Sequence, residues 1–290
     1  MFRISINRSV FWRLAIFSLA LAGLVFISSS RGYTVPLSEK PGSLEAGFHQ
    51  MYNLDFSAAH KTFQNWEALH REDPLGAASN AAVYLFGEFD RLHILEFDLF
   101  TDSRRTNNLG NLSPDHNIQL AFEGEVARAN EIATKILAQS SDDPNALFAK
   151  MLIDGLRADY AGLLEKRKLN ALEFLKSSRA MAEKLIAIDP DYADAYLAIG
   201  IENYVLGMRS APARWILRLT GAQTSKEKGI ENLKITAEKG KYLAPYARVL
   251  LTIAYLRDDN RNAAKRLLVD LVRDFPKNHR YQTELAHLQS

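Results

Sequence analysis

Residues 245–278 read PYARVLLTIAYLRDDNRNAAKRLLVDLVRDFPKN. Apolar side chains recur there at intervals of three and four, first over Tyr246–Leu256 and again over Ala263–Leu271. That spacing puts them on one face of a helix. Asp258-Asp259-Asn260 separates the two runs with residues that favour turns, so the stretch predicts a helical hairpin. Counted as 34 positions, it places Leu251 at 7, Tyr255 at 11, Ala264 at 20, Leu268 at 24, Leu271 at 27 and Pro276 at 32. A small side chain at Ala264 lets the second helix come close to the first, and Tyr255 and Leu268 fill the space between them. Pro276 disfavours helical geometry in the residue before it and is expected to open the next helix.

Similar but less regular units run back along the chain. Asp189-Pro190 is followed by Tyr196, Ile199, Gly200 and Gly207, at positions 4, 7, 8 and 15 of a unit starting at Ala193. Asp55, Phe56, Ala59 and Phe63 match positions 16, 17, 20 and 24 of an earlier one. Asp73-Pro74 and Asp143-Pro144 mark two further boundaries, 70 residues apart, close to two repeat lengths. Alanine and leucine are frequent throughout and no alternating β-branched run is long enough for a strand. The predicted helices are 44–54, 57–71, 75–100, 118–140, 145–165, 169–188, 191–206, 212–219, 226–240, 244–257, 261–274 and 277–288.

These positions resemble the tetratricopeptide repeat superfamily, specifically exported bacterial proteins with degenerate repeats. The resemblance spans most of residues 43–290 and is complete only in the last unit; residues 88–118 and 208–226 look like insertions. It implies an all-α, right-handed solenoid of stacked antiparallel helix pairs, the first helix of each pair lining a concave face. It also implies a non-catalytic protein–protein interaction scaffold. Contacts in this superfamily tend to fall at positions 2, 5, 9 and 12 of each first helix. Here those are Tyr246, Val249, Ile253 and Leu256 in the best unit, Leu197, Ile201 and Tyr204 (with Asp194) in the one before, and Phe148 and Met151 after Pro144. An apolar groove of this kind suits an amphipathic helix or extended apolar peptide. If the array curls tightly, the same side chains are core.

The first thirty residues are a different object. Arg3, Arg8 and Arg13 precede the apolar run Leu14–Ile27, and Ser28-Ser29-Ser30 follows. This fits a signal peptide cleaved after Ser30, or a retained signal anchor with Arg13 snorkelling. Either places the body outside the cytoplasm, in the periplasm or tethered to the inner membrane, because the arginines stay inside. Residues 31–42, with two prolines and two glycines, read as a linker.

Composition narrows the function classes. The 290 residues carry 36 basic and 34 acidic side chains, net +2; without the three leading arginines, residues 31–290 stand at −1. That balance lacks the electrostatic footprint of a nucleic-acid binder. Zero cysteines exclude disulfides, thiolate metal sites and cysteine nucleophiles. Phosphate-loop, H-E-x-x-H and G-x-S-x-G motifs do not occur, so neither catalytic residues nor a cofactor is expected. A peptidoglycan-active enzyme would need one glutamate set apart as a general acid, and the sequence singles none out. His93 and Glu96, three apart, could supply two metal ligands but lack a third. Residues 209–241 carry eight basic and three acidic side chains. Arg209, Arg214, Trp215 and Arg218 form its amphipathic start, a candidate contact for anionic lipid on a membrane surface.

Overall fold

In the computed structural model, residues 40, 42–97, 112–208 and 224–289 are described. The chain divides into Met1–Gly32 and Tyr33–Ser290, and all described residues belong to the second unit. The expected export segment, the short helix at 212–219 and most of the linker therefore lie outside the described residues. Among the described residues, all regular structure is helical and no helix is long and apolar enough to cross a membrane.

Among the described residues, eleven α-helices follow in chain order: α1 Leu44–Tyr52, α2 Phe56–Leu69, α3 Pro74–Arg91, α4 His116–Gln139, α5 Pro144–Asp159, α6 Lys168–Ile188, α7 Tyr196–Gly207, α8 Lys226–Lys239, α9 Ala244–Arg257, α10 Arg261–Asp274 and α11 His279–His287. A π-turn, Tyr160–Leu164, extends α5, and a 3-10 turn, Ala193–Ala195, precedes α7. Every helix packs on its neighbour in sequence, and α3 also packs on α1 and α5.

Local chemistry explains most of the starts. Side chains of Ser43, Asp55, Asp73, Asp115, Asp143, Ser225, Asn260 and Asn278 each accept a backbone N–H from the first turn of the helix that follows. At Asp73-Pro74 and Asp143-Pro144 the proline occupies the first helical position, where its missing N–H costs nothing. The other two proline pairs differ from expectation. Asp189 ends α6, and Pro190 sits in the turn before the 3-10 segment. Pro276 also lies in a turn, since Asn278 caps α11 two residues later. The long helix predicted over 75–100 stops at Arg91, because His93 adopts a left-handed backbone with φ 58°.

Small residues set the spacing within pairs. Ala59 on α2, Ala182 on α6, Ala237 on α8 and Ala264 on α10 are each fully buried. Between α7 and α8 the approach is closer still. A Cβ on Gly229 would lie 2.6 Å from the backbone nitrogen of Tyr204, and one on Gly207 would lie 2.5 Å from that of Lys226. Only glycine lets the two backbones pass at that distance.

The last helices also return to the first. Tyr52 donates to the Tyr242 carbonyl at 3.2 Å, and Asn278 donates to the Tyr52 carbonyl at 2.8 Å. Phe275, buried at the end of α10, packs on the rings of His49 and Tyr52. Lys241 pairs with Glu45 at 2.7 Å, and nearly buried Arg280 pairs with Asp90 at 2.7 Å. The described helices thus share one continuous core that runs from α1 to α11.

Candidate functional site

The first helices of five successive pairs turn their apolar sides to one cavity of about 50 Å³. Phe48, Met51 and Tyr52 come from α1, Ala82 and Phe86 from α3, and Met151, Leu152, Gly155, Leu156 and Asp159 from α5. Leu197, Ala198 and Ile201 come from α7 and Tyr246 from α9; α6 adds Leu175 and Ser178. A single water needs about 10–15 Å³ on this scale, so the free space suits about four non-hydrogen atoms.

Asp159, the last residue of α5, is the one carboxylate in this wall among the described residues. The side-chain oxygen Oδ2 accepts from the Tyr246 hydroxyl at 3.3 Å, long for a hydroxyl donor. Among the described residues nothing else bonds to this carboxyl. Burial pushes its pKa up to about 7, against the weaker opposing pull of the Tyr246 hydrogen bond. The π-turn starts at the next residue, and such turns are frequent where a side chain is re-aimed at a functional site.

The nine groove candidates divide around this cavity. Met151, Leu197, Ile201 and Tyr246 line it, while Phe148, Tyr204, Val249, Ile253 and Leu256 do not. Phe148, Met151, Leu197, Tyr204 and Ile253 are buried and the other four half-buried, so none presents an open surface. Return of α9–α11 onto α1 folds the inner side inward. Phe148 stacks on Tyr242, and Tyr242 also meets Phe48 of α1. Asp194, at position 2 of its unit, accepts backbone N–H groups from Lys241, Tyr242 and Leu243 at 2.8–3.2 Å. It thereby caps α9, whose own preceding residue offers no side-chain cap.

A second, polar cleft lies between α2, α3 and α4. Arg128 pairs with Glu67 at 2.7 Å and with Glu125. Fully buried Asn80 donates to Glu125 at 3.0 Å and is itself 2.6 Å from the His60 ring. Burial, and then the charge of Glu125, push the Glu67 carboxyl up to about 7. Its two glutamates share one guanidinium, which makes this network a brace between the first and second helix pairs.

His93 and Glu96 do meet, at 3.1 Å, but in the turn beyond α3 rather than on a helix face. Glu96 also faces Arg280 at 3.6 Å. No group of three or more metal-ligating side chains exists among the described residues. Arg209, Arg214, Trp215 and Arg218 lie outside the described residues. Of the basic stretch that follows, Lys226 pairs with Asp258 and Lys241 with Glu45.

Sequence reasoning missed Asp159 and the Glu67–Arg128–Glu125 brace. The sequence offered two acids in the mostly apolar run from Leu152 to Leu164, Asp154 and Asp159, and helical spacing does not choose between them. The brace joins residues up to 61 positions apart, beyond the reach of helical spacing. The chain matches no family model, no curated protein and no solved structure.

Proposed function

We propose that the protein is a non-catalytic scaffold of the tetratricopeptide type that holds a protein partner in the bacterial cell envelope. On this reading the stacked pairs are degenerate repeats of a tightly curled right-handed solenoid, and residues 1–30 are its export signal or anchor. The partner places an apolar side chain in the cavity between the first helices. One observation carries the reading: five first helices, in chain order, contribute to a single apolar cavity. Concave, mostly apolar sites with few polar groups are the usual form of binding sites.

The test is affinity capture with the tagged full chain from its native envelope, set against the cavity-filling variant Ala198→Leu. Partners retained by the wild type and lost from a variant with unchanged helicity support the reading. An identical set on both proteins counts against it.

A further inference from the structure

The wall of the apolar cavity is chemically one-sided. Its hydroxyl donors are already committed: Tyr52 to the Tyr242 carbonyl, Ser178 to the Met151 carbonyl at 2.8 Å, and Tyr246 to Asp159. Its one carboxylate is not. Asp159 takes a single long hydrogen bond, although an ionised carboxylate can accept about four. No basic side chain lines the cavity among the described residues. An occupant must therefore donate hydrogen bonds and gains from carrying positive charge.

The aromatic side chains of the same wall are Phe48, Tyr52, Phe86 and Tyr246, and the last of these touches the carboxylate. Phe86 and Tyr246 meet edge to face with centroids 5.5 Å apart. Ring faces attract cations, and desolvation strengthens that attraction. A lone ammonium would not leave water for an apolar cavity. Beside the half-buried Asp159 carboxyl it forms a pair, and the pair gives that carboxyl the positive partner it lacks among the described residues. Size restricts the choice further: about four non-hydrogen atoms fit, which is the length of a lysine side chain beyond its Cβ.

From this geometry we infer that the cavity is a primary-ammonium site, in which Asp159 receives the side chain of a lysine presented by the protein partner. The methylene stem lies among Met151, Leu197 and Ile201, and the ammonium reaches Asp159 under the Phe86 and Tyr246 rings. The inference rests on the scaffold reading only for the source of the lysine; the ammonium site stands on the cavity itself.

Calorimetric titration of the full chain with n-butylammonium, whose outermost methyl stands for the lysine Cβ at the cavity mouth, n-butanol and tetramethylammonium tests it without any partner. Butylammonium is expected to bind at least tenfold more tightly than either of the others. Asp159→Asn, nearly identical in shape, is expected to weaken butylammonium at least tenfold and leave butanol unchanged. Ala198→Leu should abolish binding of butylammonium, which keeps the test decisive if the asparagine variant fails to fold. Equal binding of butanol and butylammonium would overturn the inference, as would butylammonium binding that survives both substitutions. Preference for tetramethylammonium would overturn it in favour of a quaternary headgroup such as a membrane lipid carries. Failure of the scaffold reading shows separately, in the capture experiment.

Discussion

At the scale of single residues, the informative side chains are the buried acids. Asp194 is 2 % exposed, and three backbone N–H groups around the start of α9 hold it, with the Lys241 charge a smaller favourable influence. Burial raises its pKa to about 6, and those three hydrogen bonds oppose the rise. Asp194→Ala would strip α9 of its only side-chain cap and leave buried donors unpaired, a loss of about 2–4 kcal/mol. Asp194→Asn keeps one acceptor and should cost less than half as much. Chemical denaturation of the two variants checks the order, and equal losses would show that the acceptor is not what matters. Sequence reasoning placed Asp194 at a repeat position known for partner contacts. Its actual role depends on residues 47–49 positions away, which no local pattern encodes.

At the scale of elements, periodicity and capping chemistry were largely legible. Asp73-Pro74 and Asp143-Pro144 start helices, as proline at the first position predicts. Asp189-Pro190 and Phe275-Pro276 do not, because a proline fits a turn as readily as a helix start; after Pro276 it is the Asn278 cap that sets the start of α11. The end of α3 was not legible either: residues after Arg91 keep a helical apolar spacing, yet His93 turns the backbone left-handed. Close packing of α7 on α8 gives the sharpest element-scale prediction. Gly229→Ala puts a methyl group within 2.6 Å of Tyr204 backbone that cannot rotate away. Overpacking of this kind costs about 1–3 kcal/mol. Gly124→Ala, on the open side of α4 where nothing lies within 4 Å, should instead stabilise by up to about 1 kcal/mol. Thermal melts of the two variants in opposite directions would support the packing, and a harmless Gly229→Ala would refute it.

At the scale of the whole molecule, the described helices share one core and one population of raised carboxyls. Asp159 and Glu67 titrate near 7 and Asp194 near 6, each lifted chiefly by burial from an ordinary value of 3.8 or 4.5. A carboxyl raised in the folded state contributes stability that is complete below its unfolded pKa and is lost as pH rises through the folded value. Thermal midpoints should therefore fall between pH 5 and pH 8, and Asp159→Asn should reduce the fall. The paired Glu45, lowered in the fold by Lys241, works in the opposite sense only below that window. A midpoint that rises from pH 5 to pH 8 would mean these acids are not buried as described.

The packing of adjacent helices was readable from the helical hairpin at the end of the chain; the return of that end to α1 was not. Tyr52 with Tyr242, and Asn278 with Tyr52, join positions about 190 and 226 apart through single hydrogen bonds. This return sets Tyr246 of α9 in the same cavity wall as Phe48, Met51 and Tyr52 of α1. Because the chain has no cysteine, a pair of introduced ones reports without background. Spin labels at Glu45→Cys and Lys241→Cys, on side chains that form an ion pair in the native chain, measure the closure directly. Electron–electron distance spectroscopy should give one narrow distribution at the short limit of the method, whereas a long or broad distribution would show an array whose ends stand apart and whose inner face is open.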